Sequence, residues 1–499
     1  MDFIICHFFI LFYAMTMLNL LRNSAPIKAA YDIAQKSRQE IFLVGGVVRD
    51  LHLKGNISED IDFLVARDVE SIARQFARTF HGSVFCLDEI RGNYRAIIHD
   101  NGAYHTADFG SLREGEIIAD LTNRDFSVNA LALRLSDIFE KGGLILIDPT
   151  GGMEDLQGKR IRVCSPHAFE DDPVRLLRAI RFSKQCHFAI DPETERHIRE
   201  TKARLLTCSW ERIRNEFLMI LCQPGASESL KQLDSLELLS ILLPEIDGMK
   251  GMDQGTHHTY TLFEHALRTV DYTEIILCNP ERFFPRHREA LQSHFSHSIE
   301  ATLPGRALAL FIALLHDVGK PATCQKRDGE IHFYGHEQAG MKIARRIAAR
   351  FKLANKTATI MSKAIQQHMR PLQLQLLPRV SDRARYRLIR DITPAVLDTL
   401  FLALADAMAT REGSPADLRS IPLYLVVADL LDFYCSNQPG KAEAALLSGD
   451  EIMEVLNLKP GEKVGKVMEK IREAERQGLI STKEEALKLI TENRSAIDF

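Results

Sequence analysis

The chain has 499 residues, which is too long for one domain, since a typical domain holds about 150 residues. Hydrophobic residues make up 45% and charged residues 26%, which excludes disordered and fibrous proteins. The 63 Lys and Arg residues nearly balance the 67 Asp and Glu residues, so the net charge of −4 creates no overall basic field for nucleic acid. Nine cysteines without a C-x-x-C pair argue against a disulfide scaffold or a cysteine zinc site and favour a reducing compartment.

The N-terminal segment is unusually apolar. Residues from Phe3 to Leu21 carry almost no charge and are long enough for a short membrane span. The segment lacks the basic residues and the small-residue cleavage site of a secretory signal. Three interpretations stay open: an upstream start codon with the natural start at Met15 or Met17, a membrane anchor, and a buried helix.

Short apolar runs between turn residues predict a mixed α/β region as far as residue 150. The predicted strands are Glu40–Val44, Asp60–Val65, Ser83–Leu87, Tyr94–His99, His105–Phe109 and Leu144–Asp148. After Gly158 the pattern becomes helical, with strongly apolar helical stretches at Leu230–Leu243 and Gly305–Leu315. A charged amphipathic segment follows near the C-terminus.

Two aspartates and a glycine turn indicate nucleotide chemistry. Residues two apart in a strand share a face at about 6.6 Å, so Asp60 and Asp62 present two carboxylates side by side. Such a pair can hold two Mg²⁺ ions that activate an attacking hydroxyl and stabilise leaving pyrophosphate. Gly45 and Gly46, at a predicted helix start, let backbone N–H groups approach a phosphate chain, and Arg49 adds a charge-assisted contact. The alternative is a solvated strand end.

These residues form the first of five blocks that resemble the class II tRNA nucleotidyltransferases and bacterial poly(A) polymerases of the DNA polymerase beta superfamily. Motif A is similar to residues 43–50 (LVGGVVRD) followed by residues 60–63 (DIDF). The later blocks are residues 123–130 (NRDFSVNA), 148–156 (DPTGGMEDL), 171–182 (DDPVRLLRAIRF) and 211–213 (ERI). Five motifs in the family's order make the resemblance specific.

The resemblance implies a polymerase-beta-like α/β head and assigns roles to residues of these blocks. Asp60 and Asp62 would be the catalytic Mg²⁺ ligands. The resemblance also implies nucleotide-binding roles for Gly45, Gly46, Arg49, Arg124, Asp125, Asn129, Asp172, Arg175, Arg178 and Arg181. The block at residues 148–156 resembles a hinge between the head and a helical neck.

Asp172 and Arg175 also have an interpretation that does not depend on the family. They lie three apart on a predicted helix and therefore on one face. A carboxylate that accepts an amine hydrogen, beside a guanidinium that donates to a ring nitrogen, copies a Watson–Crick partner. Cytosine and adenine present an amine next to a ring acceptor, so the pair would select C and A over U and G. The alternative is a surface salt bridge.

Three features depart from the family pattern. Asn123 replaces the first Arg of the second block, and Asp108 is the candidate third metal ligand on a strand whose face the sequence does not fix. Only Gly110–Ala119 separates that strand from Asp120, where CCA-adding relatives generally carry a longer loop associated with the switch from C to A addition. The short loop raises the alternative of a CC-adding enzyme that leaves the terminal A to a partner protein.

A second constellation follows residue 257, in the order H…HD…H…H…D. Its members are His265, His316, Asp317, His336, His368 and Asp406. Imidazole and carboxylate ligands on neighbouring helices suit one or two divalent transition metals that acidify a bound water. The set resembles an HD phosphohydrolase domain, which implies hydrolysis of phosphomonoesters or 2′,3′-cyclic phosphates, with Lys320 placed to meet a substrate phosphate. The alternative is an inactive structural relic.

Together these patterns predict a multidomain chain with an N-terminal α/β nucleotidyltransferase head followed by an all-α neck, an HD domain and a helical tail. The predicted segments are an apolar extension (1–24), the head (25–150), the neck (151–245), the HD domain (246–435) and the tail (436–499). Cations of the neck suit contact with RNA phosphates. They are Arg178, Arg181, Lys184, Arg196, Arg199, Lys202 and Arg204.

We therefore expect a cytoplasmic, template-independent enzyme that adds C and A from CTP and ATP to tRNA 3′ ends. Its expected cofactors are Mg²⁺ in the head and a divalent transition metal in the HD domain, and no membrane partner is expected unless the N-terminal segment is an anchor. The alternatives are CC addition alone, poly(A) synthesis, and a metal-dependent phosphohydrolase whose head binds RNA. The extra basic signature that poly(A) polymerases of the family generally carry after motif A is not found in the sequence.

Overall fold

The computed structural model describes most of the chain outside its first residues. The described ranges are 14–89, 92–100, 103–255, 259–300, 303–377, 380–411, 418–436, 446–476, 479–480 and 482–492. The chain divides into two compact units between Ser209 and Trp210. The apolar N-terminal segment lies partly outside the described residues, but residues 14–23 form a helix (α1) in which Met17 and Leu21 are buried. No single helix in the described ranges is long and apolar enough to cross a bilayer.

The first unit is built on a seven-stranded sheet. Its strands are β1 (Ile41–Val44), β2 (Asp60–Val65), β3 (Ser83–Asp88), β4 (Asn93–Asp100), β5 (Ala103–Ser111), β6 (Ala132–Arg134) and β7 (Leu146–Ile147). The order across the sheet is β3-β4-β5-β2-β1-β6-β7. Neighbouring strands are antiparallel except for β2 and β5, which run parallel. This parallel pair brings the start of β2 beside the middle of β5.

Helices cover the sheet and continue beyond it. They are α2 (Ala25–Lys36), α3 (Gly46–Lys54), α4 (Val69–Thr79), α5 (Ile117–Thr122), α6 (Leu135–Phe139), α7 (Gly152–Gln157), α8 (Ala168–Asp171), α9 (Arg175–Cys186) and α10 (Pro192–Thr201). Two short strands, β8 (Arg160–Ile161) and β9 (Ala189–Ile190), pair in parallel between these helices. All residues of β1 are buried, as expected for a central strand covered on both faces. Phe63, Phe76 and Phe109 pack their rings together in the core.

The second unit is almost entirely helical. Its helices are α11 (Trp210–Leu221), α12 (Ala226–Ser235), α13 (Leu238–Leu242), α14 (Leu262–Cys278), α15 (Pro280–Phe283), α16 (Arg288–Ser296), α17 (Gly305–Leu315), α18 (Lys320–Thr323), α19 (His336–Arg350), α20 (Asn355–Gln367), α21 (Met369–Gln375), α22 (Asp382–Ile392), α23 (Val396–Ala409), α24 (Pro422–Ser436), α25 (Gly449–Leu456), α26 (Glu462–Arg476) and α27 (Lys483–Glu492). Its short strands are β10 (Ser298–Glu300), β11 (Leu303–Pro304), β12 (Gln325–Arg327) and β13 (Glu330–His332). Nearly every residue of α17 is buried, which explains its apolar sequence. The last three helices share a hydrophobic cluster that includes Ile452, Val467 and Ile490.

The predicted architecture, an α/β head followed by helical regions, is confirmed. The helical stretch predicted at Leu230–Leu243 consists of parts of two helices, α12 and α13. Glu237, between them, adopts a left-handed backbone with φ 60°, which a continuous α-helix does not allow. Strand β6 was not predicted, since three buried residues show no alternation that would mark a strand.

One glycine contact supports the block at residues 123–130. A Cβ atom on Gly152, at the start of α7, would lie 2.2 Å from the carbonyl oxygen of Ser127. We expect Gly152→Ala to lower the free energy of unfolding by about 1–3 kcal/mol, because the backbone around Ser127 must move to admit the methyl group. Urea denaturation followed by circular dichroism measures the change.

Gly143→Ala is the matched control, since its Cβ would meet only a side-chain atom of Ile145 at 3.9 Å. An equal loss of stability in the two variants would contradict the steric explanation.

Candidate active site

Three neighbouring strands place two carboxylates and a guanidinium side by side on one face of the sheet. The parallel register of β2 and β5 pairs Asp62 with Asp108, and the antiparallel register of β4 and β5 pairs Asp108 with Arg95. The Arg95 guanidinium donates two hydrogen bonds of 2.7 Å to the two carboxylate oxygens of Asp108. Asp60, two residues before Asp62, is exposed at the start of β2 and accepts a hydrogen bond from the Thr106 hydroxyl. Asp108 therefore lies on the same face of the sheet as Asp62. The sequence had left this face undetermined.

The surroundings of the Asp62 carboxyl disfavour its ionised form. Burial raises its pKa to about 6, an effect that Arg124 opposes and that the carboxylates of Asp108 and Asp60 reinforce. A divalent cation bound among these oxygens would remove the repulsion and keep Asp62 ionised. The donor set is made of oxygen atoms alone, which suits Mg²⁺.

The glycine turn lies directly against these carboxylates. Gly45 has φ 76°, and a Cβ atom there would approach Nη1 of Arg124 to 2.8 Å and Oδ2 of Asp62 to 3.2 Å. The turn therefore requires glycine both for its backbone conformation and for its close contacts. Gly46 is the first residue of α3 and lines the same cleft as Asp60 and Asp62, so the free N–H groups of this helix start are available to a phosphate there.

Buried hydrogen bonds connect the turn to the block at residues 123–130. The guanidinium of Arg49, one turn into α3, donates to Oδ1 of Asn129 at 2.7 Å and to Oδ1 of Asp50 at 2.8 Å. Arg124 donates through Nε to Oδ1 of Asp120 at 3.1 Å. Both guanidinium groups are thus oriented by carboxylate or amide oxygens.

Asp125 is the buried centre of a second set of contacts. The guanidinium of Arg178 donates to Oδ2 of Asp125 at 2.9 and 2.6 Å, and Nδ2 of Asn129 donates to Oδ1 at 3.2 Å. Burial alone would raise the pKa of Asp125, but Arg178 and the hydrogen bonds from Asn129 and the Phe126 N–H lower it to about 2. Asp125 is therefore ionised at neutral pH and holds Arg178 in place.

Asp172 and Arg175 both line the cleft, but they do not share a helix. The prediction of a common helix is wrong, because α8 ends at Asp171, Asp172 is extended with φ −150°, and α9 begins at Arg175. The turn between the helices still brings the two residues together, since the Arg175 N–H donates to the Asp172 carbonyl at 3.0 Å. The Arg175 guanidinium is oriented by a 2.8 Å hydrogen bond to the carbonyl of Asn123.

A cleft of about 960 Å³ unites these groups. The sequence-predicted head residues that line it are Gly45, Gly46, Arg49, Asp60, Asp62, Arg124, Asp125, Asn129, Asp172, Arg175, Arg178 and Arg181. The cleft is also lined by residues that the sequence analysis missed, namely Asn93, Arg95, Arg113, Phe182 and Gln185. Phe182 lies under the guanidinium of Arg181, with 4.3 Å between the Arg181 carbon and the ring centre. The pairing register of β4 with β5 was the signal for Arg95, but a sequence does not reveal register.

The second unit brings the six predicted histidines and aspartates to one centre. Nε2 of His265 lies 2.9 Å from Oδ1 of Asp406 and 3.2 Å from Nε2 of His316. Oδ2 of Asp317 lies 3.1 Å from Nε2 of His316, and Oδ1 of Asp317 lies 3.4 Å from Nε2 of His336 and 3.8 Å from Nε2 of His368. His265, His316, Asp317 and His368 are buried among α14, α17, α20 and α23.

Three of these imidazoles are oriented by backbone carbonyls. Nδ1 of His316, His336 and His368 donates to the carbonyl three residues earlier, at 2.8, 3.0 and 2.7 Å. A carbonyl oxygen only accepts, so each Nδ1 carries a proton, which leaves Nε2 of each ring as the atom that a metal ion would take. Nε2 of His336 and of His368 is buried without a hydrogen-bond partner among the described residues.

These atoms form two ligand groups that share one carboxylate. His265, His316 and Asp317 form the first group, and Asp317, His336 and His368 form the second. Imidazole nitrogens around a shared carboxylate suit divalent transition metals, which these two groups of residues would hold. Lys320 donates to Oδ2 of Asp317 at 2.7 Å and to Gln254 at 2.8 Å. It borders the adjacent cleft of about 590 Å³.

Comparisons with known proteins match segments of both units. The family models that match are "Poly A polymerase head domain" at residues 41–162, "Probable RNA and SrmB-binding site of polymerase A" at residues 187–249, and "HD domain" at residues 262–432. The chain is 33% identical to the A-adding tRNA nucleotidyltransferase of Deinococcus radiodurans, across 89% of this chain and 93% of the relative. It is 30% identical to the CC-adding tRNA nucleotidyltransferase of Thermus thermophilus, across 90% and 92%.

Solved structures share the fold. The Thermotoga maritima CCA-adding enzyme complexed with tRNA superposes with a TM-score of 0.58 at 21% identity, across 96% of this chain and 98% of that chain. A CCA-adding enzyme in complex with CTP gives the same TM-score across 93% of both chains. At this level of identity the likeness establishes the fold alone. The identity and coverage of the sequence relatives, together with the head and HD models, place the chain in the tRNA nucleotidyltransferase and poly(A) polymerase family, and it is a nucleotidyltransferase.

Proposed function

We propose that this chain is a cytoplasmic enzyme that adds C and A to the 3′ end of tRNA from CTP and ATP, in the cleft of the first unit. The observation that carries the proposal is the register of β2 and β5, which sets Asp62 beside Asp108 next to the glycine turn. The names of relatives that align along 89% and 90% of the chain support tRNA as the substrate. The five segments given above, from the extension to the tail, are proposed as its domains.

In the proposed reaction the RNA 3′-hydroxyl oxygen attacks the α-phosphorus of the nucleotide. A bond forms between these two atoms, the bond from the α-phosphorus to pyrophosphate breaks, and the hydroxyl proton passes to solvent. Asp60 and Asp62, with Asp108 as third ligand, would hold Mg²⁺, which would supply the charge that activates the hydroxyl and stabilises pyrophosphate. The Gly46 N–H and the Arg124 guanidinium bind the triphosphate, and Arg49 positions Asn129.

The turn between α8 and α9 provides the proposed base selection. The hydrogen bond to the Asn123 carbonyl fixes the plane of the Arg175 guanidinium, and Asp172 offers a carboxylate beside it. This pair suits the amine and ring acceptor that cytosine and adenine share. Arg178 and Arg181 border the same part of the cleft and supply charge for the phosphates.

We propose a metal-dependent phosphohydrolase activity for the centre in the second unit. It is supported by the two ligand groups that share Asp317 and by the adjoining cleft, which Lys320 and Arg411 line. The substrate class implied by the resemblance is a phosphomonoester or a 2′,3′-cyclic phosphate. Addition of C alone or of A alone is a second candidate for the head, because relatives with each name align along nearly the whole chain.

Nucleotide addition tests the head directly. We expect the chain to extend a tRNA transcript that lacks CCA by two residues with CTP alone and by three with CTP and ATP together. Asp60→Ala should abolish extension, because one Mg²⁺ ligand is lost, whereas His316→Ala should extend at the wild-type rate. End sequencing of the product is the measurement.

Extension that survives Asp60→Ala, or that disappears only with His316→Ala, would contradict the proposed head chemistry. A product that stops at CC with ATP present would identify a CC-adding enzyme. Extension of only tRNA that already ends in CC would identify an A-adding enzyme.

Base selection is tested at Arg175. We expect Arg175→Ala to reduce the preference for CTP over UTP by about tenfold to a hundredfold, which corresponds to the 1–3 kcal/mol carried by a well-placed base contact. The measurement is kcat/KM for each nucleotide. Arg199→Ala is the control, because Arg199 lies on α10 beside Glu195 and outside the cleft. An unchanged preference in Arg175→Ala would remove this residue from base recognition.

Metal stoichiometry tests the shared carboxylate. With excess Mg²⁺ present to fill oxygen-ligand sites, we expect the wild type to bind two Ni²⁺ ions. Asp317→Ala should bind none with high affinity, because both ligand groups use Asp317, whereas His368→Ala should retain one. Calorimetric titration gives the stoichiometry, with His187→Ala as a control at an exposed histidine. Two ions bound by Asp317→Ala would show that this carboxylate does not bridge the groups.

A further inference from the structure

A long segment of the second unit contains only positive charge. Residues 338–381 include nine Lys or Arg residues and no Asp or Glu, although the whole chain has a net charge of −4. Helices α19 and α20 occupy most of this segment, pack against each other and are joined by a turn of four residues. The positive charge is therefore concentrated on one helical hairpin.

Some of these cations are engaged by neighbouring groups. Arg350 binds Glu245 through two hydrogen bonds of 2.9 and 2.6 Å, and Lys363 donates to the carbonyl of Thr393 at 2.7 Å. Arg370 binds Asp391 at 3.0 Å. These three residues contribute to packing and offer little charge to a ligand.

Five other cations are exposed and form no ion pair with any described residue. They are Lys342, Arg345, Arg346, Lys352 and Lys356, which we call the α19–α20 stripe. Lys342, Arg345 and Arg346 lie three and four residues apart, so they share one face of α19 within about 6 Å along its axis. Lys352 is in the turn, and Lys356 is in the first turn of α20. The stripe thus extends from the middle of α19 around the end of the hairpin.

The surface around the stripe suits phosphate better than protein. Among described residues 338–375, no large hydrophobic side chain is exposed. Stable protein interfaces are centred on buried apolar and aromatic groups, whereas contacts to a nucleic-acid backbone need only cations and hydrogen-bond donors. The turn is also held in place, since Nη1 of Arg214 donates to the Lys352 carbonyl at 2.8 Å.

We propose that the α19–α20 stripe binds the phosphodiester backbone of tRNA away from the 3′ end that reacts. This inference rests on the proposed function, because it takes tRNA as the substrate. A contact to the RNA backbone alone contributes to tRNA affinity and its salt dependence and leaves the chemical step unchanged. Each phosphate contact releases counterions from the RNA, which makes the number of contacts measurable.

The test compares the full-length wild type with the triple variant Lys342→Gln, Arg345→Gln and Arg346→Gln. Glutamine keeps helix propensity close to that of the replaced residues, so α19 is expected to remain folded. The logarithm of the tRNA association constant is plotted against the logarithm of the salt concentration, with a transcript lacking CCA as the probe. We expect the slope to become shallower by about 2 to 3 units and the KM for tRNA to rise about tenfold or more. The kcat at saturating tRNA and the KM for CTP should stay unchanged.

Arg74→Gln is the matched control, because Arg74 is exposed and is paired with Glu70 on α4. An unchanged slope and an unchanged KM for tRNA in a folded triple variant would overturn the inference. A stripe that binds a protein instead of tRNA would give this same result. A fall in kcat at saturating tRNA would also overturn it. A wild type that extends no tRNA would instead contradict the proposed function, so the two failures are distinguishable.

Discussion

The cleft of the first unit depends on carboxylates that are crowded together and withdrawn from water on one face of its sheet. Strand register places Asp62 beside Asp108 and two residues from Asp60, and partial burial raises the pKa of Asp62 to about 6. A protein gains no stability from such crowding, since each ionised carboxylate raises the free energy of the others. A divalent cation bound between these carboxylates would replace their mutual repulsion with attraction to the cation. The crowded face is therefore understandable as a site prepared for metal and nucleotide.

The residues around this face leave it accessible, and they fix the orientation of the neighbouring charged side chains. Gly45 keeps a Cβ atom away from both Arg124 and Asp62, and Asp120 orients the Arg124 guanidinium. Arg95 neutralises Asp108 without covering Asp62, and all of these groups border the same cleft. The cations are thus oriented before a triphosphate binds, which lowers the entropic cost of binding.

The two centres offer different sets of ligand atoms, and these sets favour different metal ions. The head offers carboxylate oxygens, which hard cations such as Mg²⁺ prefer. The second centre offers buried imidazole nitrogens around Asp317, which favour transition metals. The two centres are therefore expected to prefer different ions.

Local sequence predicted the residues of both centres better than it predicted their arrangement. The metal- and nucleotide-binding residues predicted for the head all line the cleft, because a motif records which side chains a site needs. The common helix for Asp172 and Arg175 was wrong, since the path of the backbone through a turn depends on packing around it. Arg95 was missed because its role follows from pairing with a strand distant in sequence. The sharing of Asp317 by two ligand groups likewise follows only from helix packing.

Net charge is a poor guide to where a chain of this kind meets RNA, and pairing explains why. Two of the neck cations predicted to contact RNA, Arg196 and Arg199, lie beside Glu193 and Glu195 on their own helix, which cancels much of their field. The α19–α20 stripe has no carboxylate in its own segment to do the same. A polyanion responds to the uncompensated charge on a surface rather than to the number of Lys and Arg residues there. The local absence of Asp and Glu is therefore the more informative signal, and it points to a helical hairpin that the total charge of the chain conceals.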